Sequence, residues 1–208
     1  MRLTSTSIRD GAPIEAEFAF GRPDPETHIA LSDNRSPQLS WCDAPAGVAS
    51  YAVLCVDPDV PTVGDDVNQE GRSVSAELPR TDFVHWVMVD VPAGCTELAA
   101  GACGAGVVAR GKHNPPGPAG SRQGVNDYTA WFADDEEMAG TYKGYDGPCP
   151  PWNDELVHRY VFTVYALDVP RLRVEGDFTA AEVQAAMEGH VLAAASLTGT
   201  YTNNLSLT

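Results

Sequence analysis

The chain is nearly without lysine: Lys112 and Lys143 are the only two in 208 residues. Positive charge of any kind is scarce, with 13 lysines and arginines against 29 aspartates and glutamates and a formal net charge of -16. Nucleic acid and anionic membranes both require a clustered basic face. The composition therefore argues against nucleic-acid binding and against stable membrane association. It leaves room for a small anion site, which depends on local dipoles and a few donors rather than on net charge. No apolar run approaches a membrane span. The N-terminus MRLTSTSIRDG holds no apolar stretch of signal-peptide length, so the expected location is cytoplasmic. The five cysteines, Cys42, Cys55, Cys95, Cys103 and Cys149, are odd in number and lack CxxC spacing. That suggests neither a zinc module nor a disulfide framework, and most should be small buried apolar residues. No cofactor is expected. Internal repeats, linkers and low-complexity tracts are also missing, so residues 1–208 read as a single domain.

Helix signals are few. One is clear, DFTAAEVQAAMEGHVL, where Thr179 can cap, Glu182 stands at capping-box spacing and Gly189 suits the position past the end. Strand signals dominate. SYAVLCV at 50–56, FVHWVMVDV at 83–91 and RYVFTVYAL at 159–167 are rich in β-branched and aromatic residues. In the last of these both alternating faces are largely apolar, which predicts a strand covered on both sides. IEAEFAF at 14–20 and QLSWC at 38–42 are weaker strand candidates, and 191–201 reads as extended. The sum is a mostly antiparallel β domain with a few peripheral helices. Sixteen prolines and 19 glycines break the chain into short elements. Segments 62–82 and 104–127 read as long irregular loops, a length that usually signals function or mobility.

Candidate chemistry sits at strand ends. Asp57-Pro58-Asp59-Val60-Pro61 follows the first strong strand, and the prolines fix the exit of the chain from it. The plain interpretation is an acidic turn whose carboxylates accept backbone N–H groups. His85 lies inside the second strand, and a strand histidine is more often a satisfied core residue than a functional one. A functional His85 needs a partner to orient its ring, and Asp57 and Asp59 are the natural candidates. His158 opens the third strand, directly after the proline-rich loop YDGPCPP. If these ends meet, they form a small polar cluster in an apolar setting. A metal site lacks supporting ligand spacing. A hydrolytic site would need a nucleophile beside a base, and no such signature surrounds Cys149. An anion pocket is the third choice, with imidazole N–H, tyrosine hydroxyl and loop N–H groups as donors.

Six segments in order resemble the phosphatidylethanolamine-binding protein family, also called the Raf kinase inhibitor protein family, in its bacterial and archaeal branch. They are SPQLSW (36–41), YAVLCVDPDVP (51–61), HWVMVDVP (85–92), GYDGPCPP (144–151), HRYVFTVYALD (158–168) and MEGHVLAAASLTGTY (187–201). The resemblance implies two antiparallel sheets in a Greek-key arrangement, with small helices at the edge and one anion pocket at the strand ends. It places the pocket on Asp57, Asp59, Pro61, His85, Tyr145, Gly147, Pro150, Pro151, His158 and Tyr160, and implies a cis Val60-Pro61 bond. The implied function is binding of a phosphorylated small molecule or other small anion, of the phosphate or phosphoethanolamine type, without catalysis. Asp57 would orient His85, and His85, His158, Tyr160 and loop N–H groups would contact the anion. The alternatives are a protein partner, a kinase or protease inhibited through loops 62–82 and 104–139, and a weak ester hydrolase using Cys149 or His158. A homodimer is a further implication. The chain departs from the family pattern at Cys149, where many relatives carry a smaller residue, and at Trp152–Val157, which is longer than the usual bridge.

Overall fold

The computed structural model describes residues 1–208. Its strands are β1 (Arg2–Thr4), β2 (Gly21–Asp24), β3 (His28–Leu31), β4 (Leu39–Cys42), β5 (Ser50–Pro61), β6 (Arg80–Pro92), β7 (Glu97–Leu98), β8 (Arg122–Gln123), β9 (His158–Leu167) and β10 (Val191–Tyr201). Two short helices, α1 (Tyr128–Trp131) and α2 (Ala180–Met187), lie among them. The strands form three antiparallel sheets: five strands in the order β10-β9-β5-β6-β8, three in the order β1-β4-β7, and the ribbon β2-β3.

Period-two alternation along β5 explains the layering. Val53 and Cys55 face one side and meet Leu3, Trp41 and Leu98 of the three-stranded sheet, with Trp86, Met88 and Phe162 from neighbouring strands. Ala52 and Leu54 face the other side, where Val183 and Met187 of α2 close a second core with Phe178 and Leu172. The larger sheet is thus covered on both faces, as its apolar sequence requires. Helix α2 begins as its sequence predicts. The Thr179 hydroxyl accepts from the Glu182 N–H, and Glu182 Oε2 accepts from the Thr179 N–H at 2.8 Å. Such a cap is worth about 1 kcal/mol. Gly189, just beyond the end, takes φ +78°.

Four expectations are corrected. Residues 14–20 are not a strand: Ala16–Phe18 make one 3-10 turn. Phe18, Ala19 and Phe20 are all buried, which a strand covered on one face cannot achieve. The DPDVP motif does not leave the sheet; β5 runs on to Pro61, which pairs with Arg80. The Val60-Pro61 bond is trans, as are all others, in keeping with a chain that continues extended rather than turning. Finally, β6 starts at Arg80, inside the segment 62–82.

Candidate functional site

One end of the five-stranded sheet collects the polar groups. Antiparallel register sets Asp57 opposite Phe83 and Val56 opposite Val161, so the DPDVP motif, His85 and the start of β9 converge. Pairing is irregular between Asp57 and Val60, and such bulges re-aim side chains. Asp57 Oδ1 accepts the Asp59 N–H at 2.8 Å, and its Oδ2 lies 2.8 Å from His158 Nδ1. Asp59 accepts from the Arg159 backbone N–H (2.8 Å), Nε (2.8 Å) and Nη2 (2.7 Å). Both aspartates therefore do accept backbone N–H groups, as an acidic turn would.

His158 is fully buried, and both of its ring nitrogens face carboxylates. Nδ1 meets Asp57, and Nε2 lies 3.1 Å from Asp154 Oδ2. Asp154 is also gripped by Arg80, Nη1 at 2.6 Å and Nη2 at 3.0 Å, a bidentate arrangement suited to guanidinium. Burial alone would lower the imidazole pKa. The hydrogen bonds to Asp154 and Asp57 overcome it and raise it to about 9. At neutral pH the group is an imidazolium between two carboxylates. Formal charge cancels over Asp57, Asp154, His158 and Arg80, so the cluster is neutral although each member is charged.

His85 is held differently, which corrects the expected Asp57–His85 pair. Its Nδ1 lies 2.8 Å from the Asp146 carbonyl oxygen, and the Asp146 N–H donates to the His85 carbonyl at 3.0 Å. A carbonyl only accepts, so Nδ1 carries the proton and Nε2 of the neutral ring is an acceptor. Burial lowers the His85 pKa against the opposing charge of Asp57 and the bond to Asp146. Asp146 is itself fixed by Asn34 Nδ2 (2.7 Å), Asn126 Nδ2 (2.9 Å) and Lys112, one of the two lysines. No protein group pairs with His85 Nε2. Tyr160 is wholly buried, and its hydroxyl makes no hydrogen bond of ordinary geometry, although the Asp57 carboxylate stands close enough to act on it. Burial first, and then the Asp57 charge, push its phenol pKa far up.

These groups border a cavity of about 210 Å³. Of the residues singled out in the sequence, Asp57, Pro61, His85, Pro150, Pro151, His158 and Tyr160 line it. Phe20, Phe83, Tyr128 and Phe132 supply aromatic walls. His158 contributes surface but no spare N–H. Asp59, Tyr145 and Gly147 are outside the lining. Tyr145 is a core residue whose hydroxyl donates to the Phe18 carbonyl at 2.6 Å. Gly147 spends its N–H on Asn34 Oδ1 at 2.8 Å. A Cβ there would stand 2.1 Å from the Phe18 oxygen, so the position admits only glycine without a shift of backbone. Cys149 stands in the wall, where burial pushes its thiol up to about 12.

The sequence alone missed Asp154, which lies in the stretch WNDELV that departs from the family pattern, although its position four residues before His158 was a usable signal. Lys112 and Asp146 were missed as well; the rarity of lysine was the only hint. No group of histidine, cysteine and carboxylate side chains is arranged to hold a metal. No helix is long and apolar enough to cross a membrane.

The family model described as phosphatidylethanolamine-binding protein matches residues 4–202. UPF0098 protein YbhB of Escherichia coli is 33% identical over 201 residues, covering 97% of this chain and 99% of that one. A UPF0098 protein of the archaeon Methanothermobacter thermautotrophicus is 35% identical over 177 residues, covering 85% and 89%. The crystal structure of E. coli YbcL, described as a member of the mammalian PEBP family, superposes with a TM-score of 0.68 at 27% identity, covering 97% of each chain. With the fold, the order of motifs and these matches in agreement, the chain belongs to the phosphatidylethanolamine-binding protein family.

Proposed function

We propose that this protein binds a small anion of the phosphate type, such as inorganic phosphate or the monoester phosphoethanolamine, and does so without turning it over. The observation that carries this reading is the pair of unspent groups at the cavity: the Tyr160 hydroxyl, buried without a partner, and His85 Nε2, an acceptor with none. A monoprotonated phosphate matches both, since its P–OH donates to Nε2 while an unprotonated oxygen accepts from Tyr160. The Asp57 carboxylate would repel an anion if it stood alone, but the adjoining imidazolium of His158 offsets it. The aromatic and proline walls are preformed, so little order has to be gained on binding.

Binding favours proton uptake. One proton is shared between a phosphate oxygen and His85 Nε2, so affinity strengthens as pH falls and that proton becomes easier to supply. Asp57, Asp127 and Asp146 already bias His85 in the same direction. The hydrolase alternative has little support, because Cys149 is held as a thiol and meets only the side-chain amide of Asn203 at 3.7 Å.

Titration calorimetry with inorganic phosphate and with phosphoethanolamine tests the proposal. Saturable binding with net proton uptake, weakened about tenfold in Tyr160→Phe, supports it. A folded protein that binds neither ligand at millimolar concentration rules it out.

A further inference from the structure

Behind the Pro150 wall lies a second cavity, of about 310 Å³, bordered by His28, Arg72, Ser73, Trp152, Asn203 and Leu205 among others. Four distant segments meet there: the β2-β3 ribbon, the loop 62–79, the segment after Pro151 and the C-terminus. Their polar groups divide into two kinds. Some are fully committed to the fold. Asn153, also in the lining, donates from Nδ2 to the carbonyls of Asp66 (2.8 Å) and Arg72 (3.2 Å), and accepts the Asn68 N–H at 3.0 Å. Asn204 donates to the Asp154 carbonyl and accepts from Ser206. Others have capacity to spare.

Asn203 is the decisive one. It is 1% exposed, and its Nδ2 donates to the Pro150 carbonyl at 2.8 Å. Its Oδ1 is buried and meets no donor. A buried acceptor left unpaired costs about 1–3 kcal/mol, and in a native fold it calls for a partner. The half-buried Trp152 has an indole N–H with no acceptor in the protein, and one face of its ring stacks on His28 at 3.9 Å between centroids. The Arg72 guanidinium has only a 3.5 Å contact to Asp66 and is two-thirds exposed. The carboxylates that contact lining residues are engaged, Glu70 by His28, Glu155 by Ser73 and Asp66 more loosely by Arg72.

We infer that this cavity is a second ligand site, separate from the one under His85, for a small neutral polyhydroxylated molecule of monosaccharide size. The spare set is one acceptor (Asn203 Oδ1), an indole donor, guanidinium donors and an aromatic surface. Adjacent hydroxyl groups satisfy acceptor and donors together, because each O–H both donates and accepts. A fully ionised anion such as sulfate has no donor and would leave Asn203 Oδ1 unpaired, and a cation would leave the indole and guanidinium unused. The two cavities share a wall, since Asn203 holds the Pro150 carbonyl and Pro150 lines the first.

Fluorine NMR of the full chain carrying 5-fluorotryptophan reads the two cavities separately. Trp131 lines the first and Trp152 the second, while Trp41 and Trp86 are buried in the core. The probes are D-glucose, D-mannose, N-acetyl-D-glucosamine and glycerol, each titrated to high millimolar concentration. The expected result is a saturable shift of Trp152 with at least one of the sugars, no shift of Trp131, and a loss of affinity of several-fold in Arg72→Ala. Arg72 is exposed, so that variant folds, and Asn203→Leu, if folded, should abolish the response. No saturable Trp152 shift with any probe, or a shift that Arg72→Ala leaves unchanged, overturns the inference.

Discussion

Asp57 and Asp154 grip opposite nitrogens of one imidazole, at 2.8 Å and 3.1 Å, and so hold His158 as a buried cation between strand β5 and the segment that precedes β9. That link ties the floor of the cavity to the loop 62–79, because Asp154 also takes Arg80 and its neighbour Asn153 anchors the loop. The WNDELV stretch is thus a strut: Asp154 completes the charge balance, Asn153 fastens the loop, and Trp152 borders the second cavity.

The first prediction concerns pH. The His158 pKa is raised from 6.5 to about 9 on folding, so its contribution is fully present below pH 6.5 and is lost as pH rises through about 9. The upper bound is roughly 3 kcal/mol, from about 1.4 kcal/mol per pH unit. His85 works in the opposite sense. Its lowered pKa gives stability that is present above 6.5 and lost as pH falls through its folded value. The carboxylates of Asp59 and Asp154, held low by Arg159 and by His158 with Arg80 against the effect of burial, add to the acid limb. Urea melts across pH should therefore show greatest stability near pH 6 to 7. In Asp57→Asn the alkaline decline should shrink.

Removing the cation should be severe. His158→Asn leaves two buried carboxylates facing each other with only Arg80 to balance them, and a loss of about 3–5 kcal/mol is expected. A midpoint of chemical denaturation unchanged within error would contradict the charge assignment.

Tyr160→Phe should separate stability from binding. The hydroxyl has no partner in the fold, so deleting it should leave stability unchanged or raise it by up to about 1 kcal/mol. Phosphate affinity should fall in the same variant. A destabilised protein would mean that the hydroxyl serves the fold instead.

How much of this was readable in the sequence follows from the range of the interactions. Alternation of side chains is local, and β5, β6, β9 and α2 were legible for that reason. The stretch 14–20 was not, because its 3-10 turn is set by burial of Phe18, Ala19 and Phe20 against segments far along the chain. In the same way, the motifs singled out Asp57, His85, His158 and Tyr160, which line one cavity, but not which carboxylate meets which imidazole. That pairing depends on strand register and on Asp146, whose carbonyl rather than a carboxylate orients His85. Tyr145 and Gly147 lie in the matching motif yet support the wall from behind, through Phe18 and Asn34.

Gly147→Ala tests that support. The added Cβ would press on the Phe18 carbonyl at 2.1 Å, displacing the loop 144–151 at a cost of about 1–3 kcal/mol. Hydrogen exchange should quicken in that loop and at Phe20, whose amide bonds to the Pro148 carbonyl at 2.9 Å.

Asn153→Ala should release the loop 62–79. Its amide bonds to Asp66, Arg72 and Asn68 are the loop's main side-chain anchors. Exchange protection at Asn68 and Val74 should drop by about tenfold or more while the core strands keep theirs. Equal loss throughout would show that the loop is not a separately anchored unit.

The central claim is that His85 is neutral, protonated on Nδ1, and offers Nε2 to a phosphate-class ligand. Long-range proton–nitrogen NMR of the imidazoles, with and without phosphoethanolamine near pH 7, addresses it directly. The account predicts that His85 Nε2 resonates as an unprotonated nitrogen in the free protein and moves toward the protonated value on saturation, while His158 stays an imidazolium throughout. A His85 that is already charged when free, or whose Nε2 does not move at saturating ligand, would contradict it.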